Sequence, residues 1–154
     1  MKRKMRKVKL FLAASEGGHL TEGLALFKNL PDTELYIFSE DGPRLSALSC
    51  NHYGYRHINH PFLTLIAAFL KVFWLILWIR PDWVVTTGAE CGTAAVIAAK
   101  LLFRRTIFVE TASRFRTKTM SAKICYPLVD HFFVQWEESL PLYGEKAKYI
   151  GGIL

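Results

Sequence analysis

A chain of 154 residues can bury a sizeable core in one domain, and 51% hydrophobic residues is on the high side for a soluble protein. The formal net charge of +7 calls for an anionic partner or a role in solubility. Cys50, Cys91 and Cys125 are widely spaced with no CxxC pair, which argues against a disulfide framework or a zinc site and points to a reducing, cytoplasmic compartment.

The chain opens on a basic tail, residues 1–7, in which Lys2, Arg3, Lys4, Arg6 and Lys7 precede the first apolar run. Such a cluster meets nucleic acid or anionic lipid, and charge alone does not choose. The apolar run is short and leads into a glycine turn without a cleavage site, so it reads as mature sequence and not as a signal peptide. Residues 8–154 form one expected domain.

Val8 to Ala14 is the first predicted strand, broken at Ser15-Glu16-Gly17-Gly18-His19 before helical spacing resumes over Leu20 to Leu30. Strand, glycine turn and helix together suit a phosphate-bearing ligand, because the backbone can approach it closely and the helix start favours an anion. The spacing is neither GxGxxG nor a P-loop, so a plain βα turn is the competing reading. Glu34 to Ser39 is a second strand, Arg44 to Ser49 a short helical stretch and Tyr53 to Ile58 a third strand. His52, His57 and His60 lack the company of a metal motif and read as a polar loop.

Phe62 to Ile79 is apolar except for Thr64 and Lys71, and as a helix it would reach ~27 Å, marginal for a membrane span. Lys71 near its middle makes a lipid-surrounded span costly by about 2.5–3.5 kcal/mol. A single crossing would also part the strands of one sheet, so the helix is expected against the domain or in the membrane interface, the rival being burial between the sheet and another subunit. Leu65, Phe69, Phe73 and Ile76 form its expected buried-in-lipid side, and Trp74 and Trp78 an aromatic ridge. Pro61 starts the element and Arg80-Pro81 stops it.

Asp82 to Thr87 is a strand ending in the small-residue turn Gly88 to Thr93, followed by an alanine-rich helix from Ala94 to Phe103. Thr106 to Glu110 is a strand, and the basic stretch Thr111 to Thr119 carries Arg114, Arg116 and Lys118. A helix from Met120 to about Pro127, a strand from Asp130 to Gln135, a short segment from Glu137 to Tyr143 and a brief last strand complete the chain. This alternation predicts an α/β fold, an open, mostly parallel Rossmann-like sheet with helices on both faces. The turns after Ala14, Thr87 and Glu110 then converge at its carboxyl edge, the ligand side. Phe11, Phe38, Phe108 and Phe132 lie within apolar strands and read as core, which leaves no exposed aromatic platform for nucleic acid.

Ser15-Glu16-Gly17-Gly18-His19, Thr86-Thr87-Gly88, Val109 to Arg114, and Asp130 to Trp136 with Tyr149-Ile150-Gly151 together resemble the Alg14-like family over nearly the whole chain. The glycine-histidine turn is shared with broader glycosyltransferases such as the MurG type. The resemblance implies the N-terminal, acceptor-side domain of a GT-B glycosyltransferase. An Alg13-like donor-binding subunit then supplies the other half, and the acceptor is a polyprenyl-diphosphate-linked sugar, in bacteria within capsule or exopolysaccharide assembly. Eukaryotic members usually carry an N-terminal membrane segment, whereas this chain has the basic tail, which shifts anchoring toward Phe62 to Ile79, on the cytoplasmic face of an anionic membrane. No metal or cofactor is expected.

The transfer needs a base for the acceptor hydroxyl and donors for a diphosphate. His19 is the candidate base, or else a cap or phosphate contact. Glu16 is a second candidate, or else a solvated turn residue. Gly17, Gly18, Gly88, Glu110, Arg114 and Arg116 are candidate acceptor contacts, although Glu110 also suits a structural cap and the cations a solvated face. The alternative for the whole chain is a non-catalytic scaffold for a partner that holds all the chemistry.

Overall fold

The computed structural model describes residues 6–153. Short apolar runs, too apolar to leave either side in water, become the central strands of a parallel sheet. In chain order the elements are β1 (Val8–Ala13), α1 (Gly18–Phe27), β2 (Thr33–Glu40), α2 (Pro43–Ser46), β3 (Asn51–Tyr55), α3 (Pro61–Ile79), β4 (Trp83–Thr86), α4 (Ala89–Leu101), β5 (Arg105–Val109), α5 (Met120–Cys125), β6 (His131–Val134), a 3-10 segment (Glu137–Leu142) and β7 (Ala147–Tyr149). They build a seven-stranded, all-parallel sheet in the order β3-β2-β1-β4-β5-β6-β7. The α/β, Rossmann-like expectation is met.

Several boundaries differ from the sequence reading. β3 starts at Asn51 and stops at Tyr55, because its register on β2, from Tyr36↔Asn51 to Glu40↔Tyr55, recruits backbone and not side chains at a sheet edge. α4 begins directly after Gly88, so Glu90 to Thr93 are helical. The last strand is confined to Ala147–Tyr149.

Two helical layers cover the sheet. α1 closes one face over Leu12, Ala14, Ile37 and Leu45. α3 and α4 close the other over Phe11, Phe38, Tyr55 and Val84, with Ala94, Ala95, Ala98 and Ala99 of α4 forming a low surface on which α3 sits. α3 therefore buries Thr64, Ala68, Val72, Ile76 and Ile79 and exposes Leu63, Ile66, Leu70, Trp74 and Leu77. This corrects the expected lipid side. Ile76 is fully buried in the core, and Leu65, Phe69 and Phe73 are half-buried and packed against it. Trp74 and Trp78 remain 66% and 73% exposed, on the outer side of the helix. Lys71 donates its Nζ to the Gly54 carbonyl of β3, so the one cation inside the apolar helix is answered by the sheet. Thr64 donates to the Ile58 carbonyl at 2.8 Å and receives the Ile58 N–H at 3.0 Å, fixing the start of α3. Arg80 ends it in the left-handed region at φ 52°, its N–H on the Ile76 carbonyl at 3.0 Å.

Of the basic tail, Lys2, Arg3 and Lys4 lie outside the described residues. Lys7 is exposed, and Arg6 is paired with Asp82 at 2.7 Å, a surface pair worth about 0–1 kcal/mol.

The close approach of α4 to β4 generates one stability prediction. A Cβ on Gly92 would stand 1.9 Å from Thr86 Oγ1 and 3.4 Å from the Ala13 carbonyl oxygen. Gly92→Ala is expected to cost about 1–3 kcal/mol in urea unfolding, and an unchanged midpoint and slope would show that this contact yields freely.

Candidate functional site

The carboxyl ends of β1, β4 and β5 meet at one cavity of about 770 Å³, within the size range of small-molecule sites. β1 runs out at Ala13, and Gly17 at φ 99° turns the chain into α1, a conformation that a side-chain-bearing residue rarely adopts. The turn delivers His19 in the first turn of α1. On β4 the corresponding turn is made by Gly88 at φ 113°. A Cβ there would meet Ser121 Oγ at 3.1 Å and His19 Cε1 at 3.4 Å, so the missing side chain lets the imidazole and α5 close over this turn.

His19 and Thr87 hold each other through two bonds. His19 Nδ1 lies 2.8 Å from the Thr87 carbonyl oxygen, and Thr87 Oγ1 donates to the His19 carbonyl at 2.8 Å. A carbonyl only accepts, so Nδ1 carries the proton and Nε2 of the neutral ring is left as the basic atom. His19, Ala89, Glu90 and Thr93 form one wall of the cavity. Thr111, Ser113, Arg114 and Lys118 of the β5–α5 loop also line it, and α5 adds Ser121, Lys123, Met120 and Ile124. Leu65 of α3 also reaches it. Three cations, one carboxylate and one imidazole suit an anionic ligand with a hydroxyl to be deprotonated, and the apolar residues Leu65, Met120 and Ile124 suit a hydrocarbon stem.

The other sequence candidates separate. Gly17 and Gly18 stand at the head of α1, where a Cβ on either would meet open space. Glu16 is turned away from the cavity: its carboxylate lies against Gly42, where a Cβ would come within 2.4 Å of Oε2. The structure thus does not bring Glu16 together with His19. Arg116 also leaves this cavity and lines a second one of about 460 Å³ with Phe115, Trp136, Glu138 and Leu142, its guanidinium 5.2 Å from the Phe115 ring centroid. Glu110 is 2% exposed and works inside the fold. It accepts from Thr111 N–H at 3.1 Å, from Thr119 Oγ1 at 3.1 Å and from Tyr143 Oη, so it joins both ends of the loop to the segment before β7. Thr119 in turn caps α5 by accepting from Ala122 N–H at 3.1 Å. Burial drives the Glu110 carboxyl above its ordinary range, opposed by the Tyr143 and Thr119 bonds, and burial together with Glu110 raises the Tyr143 phenol.

Sequence reasoning missed Lys123, Ser121 and Thr93 on the cavity wall, and Glu22 behind it. Glu22 is 4% exposed and accepts at Oε1 from Ala112 N–H at 3.0 Å and from Thr111 Oγ1 at 3.2 Å. Its place three residues after His19, on the same side of α1, was the available signal.

Comparison with known proteins finds the following. The family model described as "Oligosaccharide biosynthesis protein Alg14 like" matches residues 54–153. A UDP-N-acetylglucosamine transferase subunit alg14 of Schizosaccharomyces pombe is 28% identical, covering 96% of this chain and 70% of the relative. The human UDP-N-acetylglucosamine transferase subunit ALG14 is 26% identical, covering 94% of this chain and 82% of the relative. Among solved structures, Acinetobacter baumannii MurG superposes with a TM-score of 0.75 at 16% identity, covering 95% of this chain and 46% of that one. A UDP-GlcNAc 2-epimerase of Methanocaldococcus jannaschii, in complex with UDP-GlcNAc and UDP, gives 0.74 at 14% identity, covering 94% and 47%. The chain spans just under half the length of these two structures, whose likeness establishes a GT-B N-terminal type of fold.

Glu110 generates a pH prediction. Its folded-state pKa is raised, so between its ordinary value near 4.5 and the raised one the folded protein keeps a proton that the unfolded chain has released. The contribution of the group is fully present below the unfolded value and is lost as pH rises through the folded one. Urea unfolding of wild type and Glu110→Gln from pH 4.5 upward is expected to show the wild type losing stability relative to the variant, by at most about 1.4 kcal/mol per pH unit. Parallel profiles would rule out titration of Glu110 in this window.

Proposed function

The chain belongs to the Alg14-like family of oligosaccharide biosynthesis proteins, and on that premise we propose that it is the acceptor-binding, membrane-anchoring subunit of a two-component glycosyltransferase. The enzyme moves a sugar from a nucleotide sugar to a polyprenyl-diphosphate-linked sugar. The donor is UDP-N-acetylglucosamine, the nucleotide sugar in the names of its relatives, and a separate Alg13-like subunit binds it. The observation that carries the reading is the His19 imidazole, held by Thr87 with Nε2 unblocked, in one cavity with Arg114, Lys118 and Lys123.

In this mechanism the acceptor diphosphate lies against Arg114, Lys118 and Lys123, and its sugar hydroxyl reaches His19 Nε2. The hydroxyl oxygen attacks the anomeric carbon of the donor, its proton passes to Nε2, and the bond from that carbon to the nucleoside diphosphate breaks, the electron pair leaving with the phosphate. The Thr87 carbonyl, already accepting from Nδ1–H, stabilises the imidazolium as it forms. The hydrocarbon stem leaves past Leu65, Met120 and Ile124. His19→Ala, assembled with the donor-side subunit and saturated with acceptor, is expected to lose roughly 10²-fold or more in turnover. A folded variant with unchanged turnover would remove His19 as base and favour the scaffold reading, in which the partner holds all the chemistry.

The same proposal has the domain on the cytoplasmic face of the membrane, lying on it through α3. Phe62–Ile79 has a mean hydropathy of 2.3, and the side of it turned away from α4 stays exposed although apolar. An interfacial helix of this kind keeps Leu63, Ile66, Leu70, Trp74 and Trp78 in the headgroup region. The tail cations add about 1 kcal/mol each near an anionic surface. Co-sedimentation with vesicles of phosphatidylglycerol and phosphatidylcholine is expected to rise with the anionic fraction and fall with salt. Replacing both Trp74 and Trp78 by Ser is expected to weaken it about 10-fold or more. A partner-saturated complex that ignores anionic vesicles at low salt would assign this face to a protein interface instead.

A further inference from the structure

Helix α1 carries a buried acid that the transfer step does not use. Glu22 stands one turn beyond His19, and its carboxylate is withdrawn from water against a loop 89 residues further along the chain. Oε1 accepts from both Ala112 N–H and Thr111 Oγ1, while Oε2 is buried with no hydrogen-bond partner among the described residues. Burying an acid in this way is expensive. The packing of α1 does not call for it, since Leu20, Leu24 and Phe27 already close that face of the sheet. What the acid does reach is the loop whose Thr111, Ser113, Arg114 and Lys118 line the same cavity as His19.

We propose that Glu22 is a positioning residue: it holds the β5–α5 loop, and with it Arg114 and Lys118, at a fixed spacing from the His19 imidazole. This rests on the reading of His19 and that loop as the acceptor site. One turn of α1 is tied twice, through His19 to the β4–α4 turn at Thr87 and through Glu22 to the β5–α5 loop at Thr111 and Ala112. Glu110 grips the loop from the other side, so that Thr111 lies between two acids, its N–H on Glu110 and its hydroxyl on Glu22. From Ser113 to Lys118 the loop is exposed, and beyond the two acids it is held by Trp136 Nε1 on the Ala112 carbonyl at 2.8 Å, Ser139 Oγ on the Phe115 carbonyl at 3.1 Å and Lys118 over the Tyr143 ring, none of which ties it to α1. Displacement of a binding group by about 1 Å is enough to cost orders of magnitude in rate, and the two anchors at the loop's start set where its cations stand.

The test compares Glu22→Ala with Glu22→Gln in the assembled two-subunit transferase. Gln keeps the accepting oxygen at Oε1, and Ala removes it. Glu22→Ala is expected to raise the acceptor KM ~10-fold or more, the scale of losing an anchoring bond to a charged group. The donor KM and the pH profile should stay as in wild type, and amide hydrogen exchange across residues 111–119 should speed up. Glu22→Gln is expected to restore both the acceptor KM and the slow exchange. Unchanged loop exchange and acceptor KM in Glu22→Ala would overturn the proposal, as would a Gln variant as impaired as the Ala one. Should Glu22→Ala fail to fold, Thr111→Val deletes the hydroxyl donor alone, and the same two readouts decide in the same way. Loop exchange is measured without turnover. A wild-type complex with no transferase activity would therefore sink the acceptor-site reading while leaving the positioning role to be judged by exchange.

Discussion

Two hydrogen bonds of 2.8 Å, running in opposite directions between His19 and Thr87, join the ends of β1 and β4. These strands are neighbours in the sheet, yet the chain leaves them in opposite senses: β1 continues through α1 to β2 on one side, and β4 through α4 to β5 on the other. That divergence opens a crevice at the carboxyl edge of any open parallel sheet. Here the crevice is spanned by a side chain and a backbone from each turn, which sets the tautomer of the imidazole and the height of α1 above Gly88. Gly17 and Gly88 both adopt positive φ so that the two turns can come this close.

The carboxylates form a second tier below this clasp. Glu110 is buried among Thr111, Thr119 and Tyr143, and Glu22 among Thr111 and Ala112. An acid that has lost its water must be given donors, and apart from the Tyr143 hydroxyl on Glu110 these donors belong to the loop whose remaining residues stay exposed. The acids thereby convert an otherwise loose, cationic loop into one with two fixed ends. Lys118 extends the arrangement by lying 5.3 Å over the Tyr143 ring, beside the phenol that Glu110 binds.

Much of the architecture was legible because parallel strands and glycine turns leave strong local marks. The runs Val8–Ala13, Trp83–Thr86 and Arg105–Val109 are largely apolar, with Lys9 and Arg105 near their starts, and each is followed by a break in periodicity. Side-chain direction at a turn leaves no such mark. Nothing in Ser15-Glu16-Gly17-Gly18-His19 tells that Glu16 goes to Gly42 while His19 goes to Thr87, because the choice is made by partners from distant strands. Arg114 and Arg116 likewise part to two cavities, since the chain bends at residues 115–117 between them, whereas an extended stretch would have turned both the same way. In α3 the difficulty is one of contrast. A helix apolar all round shows no preferred face, so the buried side is chosen by what it meets, the alanine surface of α4, and Ile76 goes inward although its composition would suit lipid equally.

That dependence of α3 on α4 has a temporal side. Chain synthesis runs from the N-terminus, and the 22 residues from Arg80 through Leu101 must follow α3 before all of α4 exists. At ~5–20 residues per second this leaves a helix apolar on every side without its partner surface for about one to four seconds, far longer than a helix takes to form. The strands made earlier shelter it only in part, through Phe11, Phe38 and Tyr55 of β1, β2 and β3, because β4 and the alanine surface of α4 both follow α3 in the chain. During that interval the nascent chain displays its most adhesive segment to whatever surface lies nearest the ribosome.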